Sequence, residues 1–139
     1  MRFAVVSAAV LAVLAAASGP AFAHHSFAMF DRDKQISVTG TVKEFQYTNP
    51  HSWVIIMVPG ADGQQVEWGF ESEGPSTLLR NGVKRSSLTP GEKVTATAFP
   101  MRDGRPAGAL IKIDKADGTV ITFGGKGPPP KGLTLQPAN

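Results

Sequence analysis

Apolar and polar residues alternate along residues 36–47, with Ile36, Val38, Gly40 and Val42 set against Ser37, Thr39, Thr41 and Lys43. A period of two predicts a strand with one buried face. Gly40, in mid-strand, marks a bulge or a sharp bend. Thr48-Asn49-Pro50 is a turn signal. Residues 51–58 read as a second strand, dense in β-branched and aromatic side chains. Here His51, Trp53, Ile55 and Met57 share one face and Val54, Ile56 and Val58 the other. Both faces are apolar, so alternation leaves open which one fills the core. Residues 59–63 form a hairpin loop around Asp62-Gly63. The third strand, 64–71, carries Val66, Trp68 and Phe70 on one face.

The period then changes. Residues 75–82 read as a short helix, with Ser76 as its expected N-cap and Asn81-Gly82 as its end. After a turn over 87–91, alternation returns at 93–99, and Arg102-Asp103-Gly104-Arg105 signals a hairpin into a strand at 107–113. Asp117-Gly118 turns into a short last strand at 119–123. Ahead of the first strand, residues 24–34 form an arm bearing Phe27 and Phe30, with a polar end at Asp31-Arg32-Asp33. Three strands, a short helix and two or three further strands predict an all-β protein, a small OB-like barrel of five to six strands. A small β-sandwich is the competing arrangement. Residues 124–139, rich in Gly, Pro and Lys and including Pro128-Pro129-Pro130, are expected to be a disordered tail.

The chain start belongs to another category. Met1-Arg2 is basic, residues 4–17 are almost entirely Ala, Val and Leu, and Ala21-Phe22-Ala23 fits a small-x-small cleavage site. That apolar run is shorter than the ~20 residues of a comfortable membrane span. The expectation is a cleaved signal peptide over 1–23 and export to the periplasm or beyond. A mature domain over 24–123 would then start at His24-His25-Ser26-Phe27, with no membrane span of its own. The chain has no cysteine, which removes disulfides, thiolate metal sites and cysteine nucleophiles. The formal charge is +3, part of it from Arg2, and the basic residues are scattered. Neither fits a nucleic-acid or anionic-membrane partner.

Candidate chemistry therefore narrows to the histidines. His24, His25 and His51 are the three in the chain. A histidine at a newly cut N-terminus offers its α-amino nitrogen and its imidazole in one chelate, and a second histidine completes a three-nitrogen set. Nitrogen-rich planar sites suit Cu(II), the strongest binder of the divalent series. The alternative is that His24-His25 is only a polar mature end and that His51 only fixes its turn. Thioethers prefer Cu(I), which brings in Met29, Met57 and Met101; the competing expectation for Met57 is core filler. No Ser-His-Asp order, phosphate loop or His-Glu-x-x-His motif is present, so no enzyme is expected.

The N-terminal histidine resembles the histidine brace of secreted copper proteins, which implies His24 as a ligand with His51, or else His25, as its partner. A small exported OB-type barrel carrying His51, Trp53 and Met57 also resembles the periplasmic copper and silver chaperones of metal-efflux systems, although the motif spacing differs. More broadly, the His-His-Ser-Phe start, Gly40-Thr41-Val42, Asn49-Pro50-His51, Trp68 and Pro100-Met101-Arg102-Asp103-Gly104 together resemble a family of small secreted bacterial proteins with a domain of unknown function. That likeness implies export and one compact β domain. The resulting expectation is a monomeric periplasmic copper carrier or buffer with metal ligands among His24, His25 and His51. The alternative is an envelope module that binds a protein or small ligand through a surface including Trp53, Met57 and Trp68.

Overall fold

The computed structural model describes residues 26–124. The expected leader, His24, His25 and the expected tail beyond Gly124 lie outside the described residues. The strands are β1 (Ile36–Gln46), β2 (Ser52–Pro59), β3 (Gln65–Ser72), β4 (Lys93–Pro100), β5 (Ala107–Lys115) and β6 (Val120–Thr122), with one helix, α1 (Pro75–Arg80). Short 3₁₀ turns lie at Ser26–Met29 and Arg85–Ser87.

Antiparallel ladders join β1 to β2, β2 to β3, β1 to β4 and β4 to β5. A short parallel ladder between β3 and β5, from Gly69 opposite Ala107 to Glu71 opposite Ala109, closes the ring. The result is a closed five-stranded OB-like barrel, and β6 adds an extra strand outside β5. That closing ladder excludes the two-sheet sandwich.

β1 makes the barrel possible by serving two partners. Its first half, 36–41, pairs with β4 and its second half, 41–46, with β2. A strand shared in this way has to bend where it changes partner. Gly40 sits there: a Cβ at this position would collide with the Met57 carbonyl of β2. The ladder irregularity itself falls a little later, between Val42 and Glu44, where Lys43 is the extra residue. Alternation predicted the bend and misplaced the bulge.

The core faces are now fixed. Val54 and Ile56 of β2 are fully buried, with Val42, Phe45, Phe70, Val94, Ala96, Ala98, Leu110 and Ile113 around them. Trp53, Ile55 and Met57 therefore lie on the outer face, half-buried. α1 sends Leu78 into the same core, joined by Val83 and Leu88 of the following connection. The Tyr47 hydroxyl lies 3.0 Å from the carbonyl oxygens of both Pro75 and Val83 and so ties the end of β1 to both flanks of α1. The expected Ser76 cap is corrected: the N-cap is Gly74, no side chain caps it, and Pro75 occupies the first turn. Proline at the first helical position needs no N–H partner and starts the helix two residues earlier than a Ser76 cap would. At the other end Asn81 is the C-cap and Gly82 takes the left-handed conformation, as the sequence predicts.

Candidate functional site

The turn before β2 is held from several sides. The Thr48 hydroxyl donates to the His51 carbonyl (3.1 Å), and the backbone N–H of Ser52 donates to the Glu73 carbonyl (3.3 Å). The Asn49–Pro50 peptide bond is cis. Gly74 packs so closely beneath it that an added Cβ would lie 2.5 Å from the Pro50 oxygen. This clamp leaves the His51 side chain on the outer face, on the same side of the sheet as Trp53 and Glu71.

There His51 Nδ1 is hydrogen-bonded to Glu71 Oε1. Glu71 is 10% exposed and His51 37% exposed. A largely shielded carboxylate hydrogen-bonded to one ring nitrogen fixes the imidazole plane. The pair borders a cleft of about 350 Å³ lined also by Pro50, Glu73, Gly74, Thr77, Ala109 and Leu110. Within it Glu73 Oε2 is shielded from solvent and has no hydrogen-bond partner among the described residues. Removing a polar oxygen from water without a hydrogen-bond partner is costly. Among the described residues, no three His, Asp or Glu side chains converge in an arrangement that would hold a metal ion. A metal at His51 would therefore need donors from elsewhere in the chain.

The arm folds back onto the barrel. Phe30 is 1% exposed and packs with Met101, Ala109, Phe99 and Ala107 on the outside of the β4–β5 hairpin. Phe30 and Met101 form a bridge, the Asp31 N–H donates to the Pro100 carbonyl (2.8 Å) and the Arg102 N–H to the Met29 carbonyl (2.9 Å). Arg102 Nε also donates to the Ala28 carbonyl (3.3 Å). Asp31 pairs with Lys34 at 3.2 Å, and the Lys34 hydrogen bond is the main influence holding its carboxyl below the ordinary carboxylate range.

The expected site residues are thus distributed unevenly. His51 has a polar partner and a cleft. Trp53 and Met57 share the outer face of β2, and the Trp53 ring and Ile55 lie across Gly69 of β3. Trp68 stacks on Phe70, ring centroids 6.0 Å apart, and packs against the core on the opposite face, so the three do not form one surface. Met101 is buried under Phe30, and Met29 is exposed on the arm. Sequence reasoning centred on the histidines and missed Glu71 as the partner of His51. The signal was present: the β2–β3 register is symmetric about Asp62, so a hairpin turning at Asp62-Gly63 brings His51 level with Glu71 and Glu73.

The model of a family of unknown function, DUF6152, matches residues 10–111. Among curated proteins, 101 residues are 29% identical to part of the carbamoyl phosphate synthase large chain of Agathobacter rectalis. The match covers 65% of this chain and 10% of that enzyme. This chain therefore spans about a tenth of that relative's length, and the likeness brings no activity with it. No solved structure matches.

Proposed function

The chain belongs to DUF6152, a family whose description assigns no activity, and we propose from its own residues that it is an exported copper-binding protein, a carrier or buffer acting in the periplasm. His24 supplies its α-amino and imidazole nitrogens after leader removal, and His51 supplies Nε2. His25 is the alternative to either histidine. Glu71 orients His51, and Glu73 adds negative charge on the cleft side.

The observation that carries this reading is the His51–Glu71 pair. Histidines that bind metals commonly donate their other ring N–H to a carboxylate, which fixes the tautomer and raises ligand basicity. The chain ahead of Ser26 holds the only other imidazoles, and His24 lies six positions before the docked Phe30. The 3₁₀ turn at Ser26–Met29 rises only about 2 Å per residue, and two further residues add at most about 7 Å, so the reach from Phe30 is roughly 15 Å.

The test is Cu(II) titration of protein starting at His24, read by calorimetry and electron paramagnetic resonance, beside a chain with one extra N-terminal residue. One-to-one binding with a three-nitrogen spectrum, lost in the extended chain and in His51→Ala, is expected. Equal weak binding in all three removes the proposal. A second reading, an envelope module binding a protein or small ligand, draws on the half-buried outer stripe of Trp53, Ile55 and Met57. It would be indifferent to the cut site and would respond to Trp53→Ala.

A further inference from the structure

The outer face shared by β1, β2 and β3 serves the copper reading only at its edge, through His51 and Glu71. In register, Gln46 stands opposite Trp53 and Trp53 opposite Glu71. One row on, Glu44 stands opposite Ile55 and Ile55 opposite Gly69, and a third row runs from Thr41 through Met57 to Glu67. The middle column is therefore a half-buried apolar stripe along β2, about 14 Å from Trp53 to Met57 at the usual rise of a strand. Gly69 widens it. A Cβ there would stand 3.7 Å from Cε3 and Cζ3 of the Trp53 ring and 3.7 Å from Ile55 Cδ1. With no side chain at 69, the six-membered ring of Trp53 leans over β3 and makes a shallow apolar platform.

The columns on either side are polar, and their donors are largely engaged. Gln46 Nε2 donates to Glu44 Oε2 at 3.0 Å. Lys43 pairs with Glu67, and Glu71 is bonded to His51. What the two rails turn to solvent is chiefly carboxylate and amide oxygen, which accept hydrogen bonds. Three glutamates around one stripe also repel phosphates and other anions, which sets nucleic acid and acidic glycans aside. An apolar platform between two rows of acceptors suits a ligand with one apolar face and donors around its edge. A pyranose with equatorial hydroxyls has that build: its axial C–H bonds lie against an aromatic ring while its hydroxyls project sideways.

We infer that this face binds a neutral, β-linked oligosaccharide, with Trp53 as the stacking platform and Glu44, Gln46 and Glu71 as acceptors for its hydroxyls; the inference stands apart from the copper reading and rests on the second one, to which it gives a ligand class. A β-linked chain of equatorial sugars is a flat ribbon, so one unit lies on Trp53 while the next follows the stripe towards Ile55 and Met57. Trp68 takes no part, because it packs against the core on the opposite face.

The experiment titrates protein starting at His24 with cellotriose and with chitotriose, both neutral, and reads amide and indole resonances by NMR. Saturable shifts at Trp53, Ile55, Gly69 and Gln46 are expected, with a Kd of roughly a millimolar for so shallow a site, while the Trp68 indole stays in place. Trp53→Ala should weaken binding about tenfold or more, and Trp53→Phe should recover most of it. Glu44→Ala lies on the exposed rail and should weaken binding about threefold, which keeps the test open should Trp53→Ala fail to fold. Trigalacturonate, an anionic sugar of the same length, should bind more weakly than either neutral one. Absence of shifts with both neutral sugars, or affinity unchanged in Trp53→Ala and Glu44→Ala, would overturn the inference. His24-dependent copper binding would survive that result, since neither Trp53 nor Glu44 belongs to its ligand set. Trilysine moving the same resonances when the sugars do not, with the effect lost in Trp53→Ala, would overturn the saccharide and leave the second reading standing as a peptide surface.

Discussion

Two apolar clusters hold the described residues together, and they are built in opposite ways. The barrel interior is supplied by every strand of a closed ring, so Phe70, Ile56 and Ile113 are enclosed by covalently distant neighbours on all sides. The cluster under the arm depends on one aromatic, Phe30, laid over the outside of a hairpin that is already complete without it. The first cluster is the fold. The second fixes the arm at Phe30 on the outside of the ring, and it can be undone without opening the ring.

That contrast can be tested at three depths. Phe70→Ala should have the largest effect, removing a fully buried ring from the core. A loss of about 3–5 kcal/mol is expected in denaturant unfolding, and a loss below about 1 kcal/mol would mean that the ring tolerates voids as easily as the arm does. Gly74→Ala comes next. Its Cβ meets the Pro50 carbonyl, so it should cost about 1–3 kcal/mol and shift the His51 ring resonances in NMR while the arm amides stay in place. Movement of the arm amides instead would show that the cleft and the Phe30 cluster are one unit.

The smallest effect is acid release of the arm. The Asp31 carboxyl is held below its ordinary range, chiefly by Lys34 and with help from Arg102. Its contribution is therefore fully present above the ordinary carboxylate range and is lost as pH falls through the lowered value. On acidification, the amide resonances of Asp31 and Arg102 should move before those of β1–β5. Simultaneous movement of all of them would place the arm and the barrel on the same footing.

The division between the clusters also explains what the sequence could reveal. Strands, hairpins and the bend at Gly40 announce themselves through local alternation and turn residues, and those readings agree with the ladders. The inward face of β2 was not legible, because Trp53, Ile55 and Met57 are as apolar as Val54 and Ile56. Only the closing of the ring decides between them. The seat of Phe30 was invisible for a different reason: its partner Met101 lies far along the chain, and no period links the two. His51 lies between these cases. Hairpin symmetry about Asp62 puts Glu71 within its reach, but burial and the clamp at Gly74 come from the helix connection, which a strand pattern does not encode.

The closing ladder also has a consequence for how the molecule assembles. The β2–β3 and β4–β5 pairs are local hairpins, whereas Gly69–Glu71 meet Ala107–Ala109 only after the whole helix connection has been threaded between them. Contacts of such sequence separation carry the larger loop-closure cost and slow folding more than local ones do. His51 and Glu71 can therefore meet within their own hairpin, but Ala109 and Leu110 reach the cleft only when the ring shuts. Any ligand that needs both walls binds the shut ring alone, and by mass action it would hold the last-formed rungs closed.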